Sequence, residues 1–204
     1  MRRSPASRPA VFLDRDGTLI EDCGWLRDPA EVKFYPQTIP ALLALAPHFA
    51  LFIITHQRGI ADGLLTNEEV ERVNTHIVET LRNAGISIED VYCCPHKRDQ
   101  ACQCIKPKPF FLQKAARDHG IDLARSFVIG DHPHDVQLAH NAGARGIYVL
   151  TGHGTKHRQE LAEPCTIAAD IAEAAAQILF SLTNRQPPST TPHQQSKTTP
   201  TTKE

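Results

Sequence analysis

Four apolar residues in a row, Ala10 to Leu13, run straight into two carboxylates, Asp14 and Asp16, then a glycine and a threonine. A short unbroken apolar run of this kind reads as a buried strand, with the acids at its end. The pattern repeats down the chain. Phe49 to Ile54 predicts a second strand ending at Thr55, Ser126 to Ile129 a third ending at Gly130-Asp131, and Gly146 to Leu150 a fourth. Helical patterns lie between and after them. Thr66 and Glu69 form a capping box before a stripe at Val70, Val73, Ile77 and Leu81, and Gly85 stops it. Phe110 to His119 is closed by Gly120, Val136 to Ala142 by Gly143, and Ile167 to Leu182 predicts a last amphipathic helix. Strands alternating with helices predict an α/β fold, a parallel sheet covered on both faces. In such a sheet Asp14, Asp16, Thr55 and Asp131 share one edge, where ligands of open α/β sheets sit. An Asp-Gly turn explains one polar strand end; three together ask for more.

Outside this body the pattern fades. Residues 1 to 9 read as a flexible arm, residues 10 to 182 as one domain, and residues 183 to 204 as a disordered tail rich in Thr, Pro, Gln and Ser. The length of 204 residues suits a single core. A formal net charge of -1 and 6% aromatic residues supply neither a polybasic footprint nor a stacking platform, which argues against nucleic acid and anionic membrane as partners. An anionic ligand must then be held by a few local charges or by a metal. The longest apolar stretch, Ile39 to Ile54, is broken by Pro40, Pro47 and His48 and falls short of the roughly 20 residues of a membrane helix. Arg2, Arg3 and Arg8 precede only a short apolar run, unlike a signal peptide. A cytoplasmic monomer acting on a small metabolite is the expectation.

Two chemical clusters change the picture. Acids two residues apart, as at Asp14 and Asp16, repel unless a cation or a shared proton relieves them. Farther on, Cys94, His96, Cys102 and Cys104 place three thiols and an imidazole within eleven residues. Zinc takes these donors in a closed tetrahedral site, so residues 93 to 105 read as a structural zinc loop that delivers Lys106. Cys93 is the alternative to Cys94, which the Cys-Pro-His pattern favours; Cys23 and Cys165 read as ordinary thiols.

Asp14-x-Asp16-Gly17-Thr18, Thr55 after an apolar strand, Lys106-Pro107, and Gly130-Asp131 followed by Asp135 together resemble the haloacid dehalogenase superfamily, over roughly Ala10 to Thr151. The resemblance implies a three-layer α/β/α sandwich with a mainly parallel, Rossmann-like sheet. It also implies a Mg²⁺-dependent phosphatase, a phosphoric monoester hydrolase. In it Asp14 would take the phosphoryl group as an aspartyl phosphate. Asp16 would protonate the leaving oxygen and then activate water. Thr55 would bond the phosphoryl oxygens and Lys106 would neutralise them. Asp131, the Asp14 carboxylate and the Asp16 backbone carbonyl would hold magnesium, supported by Asp135.

The zinc loop is similar to that of the branch acting on D-glycero-D-manno-heptose 1,7-bisphosphate and on histidinol phosphate, which has no large cap domain. Asp22-Cys23-Gly24-Trp25 and the segment Gln57 to Gly63 resemble substrate loops of the heptose enzymes, whereas the short spacing from His96 to Cys102 resembles the histidinol-phosphate enzymes. Heptose bisphosphate is the leading substrate and histidinol phosphate the alternative. A catalytically silent binding protein on this fold is the non-enzyme alternative, against which the full set of reactive residues counts. The implied substrate contacts are Asp22, Gly24, Trp25, His56, Gln57, Arg58 and His132. Three of the chain's residues depart from the resemblance: His56 stands for Asn, Ile105 for Arg, and His132 for Lys. Arg58, where a small residue is usual, is expected to restore part of the lost charge, and His132 to meet phosphate when protonated.

Overall fold

The first strand, β1 (Ala10–Leu13), has no polar position because both of its faces are covered. In this computed structural model, which describes residues 7–162 and 164–184, five further strands flank it: β2 (Ala50–His56), β3 (Asp90–Cys94), β4 (Phe127–Gly130), β5 (Arg145–Val149) and β6 (Thr166–Ala168). All pair in parallel, in the order β3-β2-β1-β4-β5-β6. The chain therefore builds outward from β1 on one side, then returns to build outward on the other. That reversal is the topological switch point at which an open sheet leaves a crevice.

Side chains of a strand alternate between faces, and the packing follows that period. Val11 and Leu13 enter one core with Leu51, Ile53 and Ile129; Ala10 and Phe12 enter another with Phe52, Ile54 and Val128. The first is closed by α1 (Thr38–Leu45), α2 (Asn67–Asn83) and α6 (Ile171–Thr183), the second by α3 (Phe110–His119) and α4 (Pro133–Ala142). A short helix, α5 (Gly154–His157), follows β5. The three expected layers are present, and only short segments overhang the sheet edge.

The capping box of α2 is formed as expected: Glu69 N–H donates to Thr66 Oγ1 at 3.1 Å, and Thr66 N–H to Glu69 Oε2 at 2.8 Å. The helix expected over Ile167 to Leu182 is corrected. Thr166–Ala168 pairs with β5 as an edge strand, and Asp170 caps a helix that starts only at Ile171, accepting from Ala172 N–H at 2.9 Å and Glu173 N–H at 3.0 Å. α4 begins earlier than expected, with Pro133 in its first turn, where a missing N–H costs nothing. Arg8, in the expected arm, is tied down: Asp122 N–H donates to its carbonyl at 2.9 Å, and its guanidinium pairs with Glu89. The tail expected from 183 onward lies outside the described residues, apart from Thr183 and Asn184 at the end of α6.

Candidate active site

Because the sheet is parallel, β1, β2 and β4 deliver Asp14, Thr55 and Asp131 to one edge, and the first turn of α4 adds Asp135. Asp14, Asp131 and Asp135 each present an oxygen within 4.8 Å of the others. Lys106, buried and two residues beyond the last cysteine of the loop, bridges this group. Its Nζ bonds Asp14 Oδ1 and lies 2.7 Å from Asp135 Oδ1. Burial disfavours the lysine charge, but Asp135 and Asp14 outweigh it and hold the ammonium protonated. Burial pushes the Asp14 carboxyl well up; Lys106 pulls against it, and Asp135 and Asp131 push it further. Asp131 is pushed up to about 6, first by burial and then by Asp135. Two buried carboxylates and the partly buried Asp14 against one ammonium leave a charge imbalance that a hard divalent cation fits, since the donors are all oxygens. The site is also shaped around Asp131. A Cβ on Gly17 or Gly152 would meet Asp131 Oδ2 at 2.1 or 2.2 Å, and both glycines have positive φ. Asp135, expected only as a support, stands in this cluster directly.

Asp16 lines the same cavity as Asp14 but is held by other partners. Its carboxylate lies in the fork of Arg15, whose Nε donates to Oδ2 and Nη2 to Oδ1, both at 3.0 Å. Arg15 is itself fully buried, and its Nη1 donates to Asn74 Oδ1 of α2 at 2.7 Å. Gln57 Nε2 donates to Asp16 Oδ2 at 2.8 Å and to Thr55 Oγ1 at 2.7 Å, and Thr55 Oγ1 donates to Asp16 Oδ2 at 3.4 Å. Gln57, expected to face substrate, lines this cavity and also directs its amide at Asp16. The Asp16 carboxylate is outside the three-oxygen cluster.

A cavity of about 420 Å³ opens above these groups. Asp22, Gly24, Trp25, His56, Arg58 and His132 all line it, as expected. Asp22 accepts from Gly24 N–H at 2.9 Å and meets His153 Nε2 at 3.0 Å, so the loop forms a strap anchored to the far side. Trp25 packs on Gly59, where a Cβ would approach its ring to 2.7 Å. Arg58 lies 5.6 Å from the Trp25 ring centroid and 3.3 Å from Asp62 Oδ2, so its charge is already shared. His56 Nε2 is 2.7 Å from the His96 carbonyl, and this ring ties β2 to the cysteine loop. Burial lowers the pKa of His56. Burial, and then the adjacent His134, push His132 down to about 4.

The cysteine loop closes on itself. Cys104 Sγ is 3.3 Å from Cys94 Sγ and 3.4 Å from His96 Nδ1, and Cys94 Sγ is 4.0 Å from Cys102 Sγ and 3.8 Å from His96 Nδ1. Zinc bonds of about 2.3 Å to sulfur and about 2.0 Å to nitrogen give tetrahedral edges of roughly 3.5 to 3.8 Å. The four donors fit. Cys93 lines a separate groove of about 490 Å³ beside α2, and Cys94 stands with His96, Cys102 and Cys104, so Cys94 is the donor from this pair.

Comparison with known proteins gives these groups a context. The family described as HAD-hyrolase-like matches residues 103–174. The D-glycero-beta-D-manno-heptose-1,7-bisphosphate 7-phosphatase of Photorhabdus laumondii is 34% identical over 182 residues, covering 85% of this chain and 91% of that protein. The chain belongs to the HAD-like hydrolases. The HAD-like fold extends to a solved structure of D,D-heptose 1,7-bisphosphate phosphatase from B. bronchiseptica, complexed with magnesium and phosphate. Its TM-score is 0.79 at 29% identity, covering 85% of this chain and 99% of that one. The histidine biosynthesis bifunctional protein HisB of Actinobacillus pleuropneumoniae is 36% identical over 144 residues; the chain spans 40% of its length.

As a HAD-like phosphoric monoester hydrolase, the chain has all its expected reactive residues at one sheet edge. Sequence reasoning missed Arg15, which only its burial against Asp16 and Asn74 reveals. It also missed Arg98, His153 and His157, which line the cavity from loops and the short α5. Asp-x-Asp spacing hid the first, because the residue between two acids at a strand end is expected to point away from them.

Proposed function

We propose that the chain removes the 7-phosphate of D-glycero-D-manno-heptose 1,7-bisphosphate through an aspartyl phosphate on Asp14. The buried Asp14–Lys106–Asp135 bridge beside Asp131 carries the reading, because it sets one nucleophile, one cation and a cation-binding trio within contact of each other. Asp14 attacks phosphorus while the bond to the sugar oxygen breaks, and Asp16 gives that oxygen a proton. Water then attacks phosphorus, its proton passes to Asp16, and the Asp14 carboxylate is restored. Lys106 offsets the charge that would otherwise keep a carboxylate from a phosphate dianion. Thr55 and Gln57 hold Asp16 in its orientation. Asp14, Asp131 and Asp135 would hold magnesium, which would supply further neutralisation of the phosphoryl oxygens. Zinc on Cys94, His96, Cys102 and Cys104 is structural, fixing the loop of residues 93 to 105 that ends at Lys106.

The same reading makes residues 10 to 182 the catalytic domain of a cytoplasmic monomer whose partner is a small phosphorylated sugar. Unpaired cysteines suit a reducing compartment, and no helix among the described residues is long and apolar enough to cross a membrane. Phosphate release from heptose bisphosphate with Mg²⁺, abolished in Asp14→Asn with an unchanged circular-dichroism spectrum, is the expected result. Histidinol phosphate is the second reading, supported by the likeness to HisB. Faster turnover of histidinol phosphate than of the heptose ester would replace the first reading with it.

A further inference from the structure

The cavity has two unlike ends. At one lie Asp14, Asp131, Asp135 and Lys106, whose ammonium is taken by two carboxylates. Two guanidiniums also line the cavity. Arg58 is paired with Asp62. Arg98 has no carboxylate partner among the described residues; its Nη1 and Nη2 lie 3.2 and 3.3 Å from the two ring nitrogens of His134. Nη1 and Nη2 each direct an N–H at the ring, so the guanidinium meets the imidazole through one edge. His134 is in turn stacked on His132, with centroids 4.5 Å apart and planes 16° apart. These contacts use two of the five guanidinium N–H donors, and the remaining three, on the Nε side and the outer edge, match the oxygens of a phosphate.

We infer that Arg98 is the anchor for the second, non-reacting phosphate of a bisphosphorylated substrate, presented by the zinc loop on a stacked histidine wall. The inference rests on the bisphosphate reading above. A second phosphate left among the carboxylates of the reacting end would be repelled; Arg98 is the permanent cation of this cavity whose charge is not already shared. The position of Arg98 is fixed from both sides. It lies between the loop donors His96 and Cys102, and its neighbour Lys97 reaches Asp62 Oδ1 at 2.8 Å while its N–H donates to Gln100 Oε1 at 2.8 Å. Position 98 therefore becomes a determinant of specificity, and the loop does more than deliver Lys106.

The test compares kcat/KM for D-glycero-D-manno-heptose 1,7-bisphosphate with that for the 7-monophosphate, in the full chain and in Arg98→Gln and Arg98→Lys, with bound zinc assayed in each. Loss of a charge-assisted contact is expected to cut the bisphosphate preference by about tenfold or more in Arg98→Gln, with partial recovery in Arg98→Lys. Equal losses on both esters, or no loss, would overturn the assignment. Should neither heptose ester be turned over, the functional reading fails, and Arg98 is judged separately. Asp14→Asn and Asp14→Asn/Arg98→Gln proteins are then titrated by calorimetry with paired mono- and bisphosphorylated hexoses. Tighter bisphosphate binding that vanishes with Arg98 upholds the anchor, and the absence of any such difference overturns it.

Discussion

Lys106 faces two carboxylates with a third nearby, and most of the residue-scale behaviour follows from that imbalance. Lys106→Ala should lower kcat by roughly 100-fold or more, the scale of losing one preorganised charge stabiliser, and single-turnover kinetics would show the loss in the chemical step. The magnesium-free protein should also report the strain in its pH dependence. Asp131 titrates near 4 when unfolded, as an ordinary Asp does, and at about 6 when folded. Between those values the folded state binds more protons, so its relative stability is greatest below the lower value and is lost as pH rises through the upper one. Melting temperatures without magnesium should therefore fall from pH 4.5 to pH 7, and saturating magnesium should flatten that slope; a rise across the window would refute the linkage. Gly17→Ala places a methyl on Asp131 at a backbone φ of 81°, and should raise the magnesium Kd at least about tenfold as the carboxylate is displaced, read by thermal shift against metal concentration. The reactive residues were legible in the sequence because strand ends in a parallel sheet converge. The orientation of Gln57, the buried fork of Arg15 and the contact of Arg98 with His134 were not, since each depends on partners far away in sequence.

Elements show where pattern and packing part company. The α2 capping box was readable because Thr66 and Glu69 sit at fixed spacing, and Thr66→Ala should cost about 1 kcal/mol in a denaturant melt with kcat preserved. Ile167 joined a helical pattern on paper, yet three residues of edge strand and the Asp170 cap took it into the sheet. β3 escaped notice because only Tyr92 and Cys94 of its five residues are buried and it opens on Asp90, and α1 because Pro40 lies within it. The zinc loop was plain from donor density alone. Removing its metal with a chelator, or changing Cys102 to Ser, should lower the melting temperature and raise KM for a bisphosphate more than for a monophosphate, because Arg98 loses its frame. Equal KM shifts would separate the loop from substrate recognition.

For the molecule as a whole, the layers could be foreseen and the strand order could not. Apolar runs name the strands and helical stripes name the covering, but nothing local says that β4 returns to the far side of β1. That return has a consequence for how the protein comes into being. Asp131 and Asp135 leave a ribosome more than a hundred residues after Asp14. A nascent chain that has completed β1, β2, β3 and the cysteine loop holds a nucleophile and a lysine, but lacks the neighbour that shelters β1 and two of the three clustered acids. Reactivity thus waits until α4 has been made, and any fragment truncated before α4 should release no phosphate from a substrate that the full chain hydrolyses.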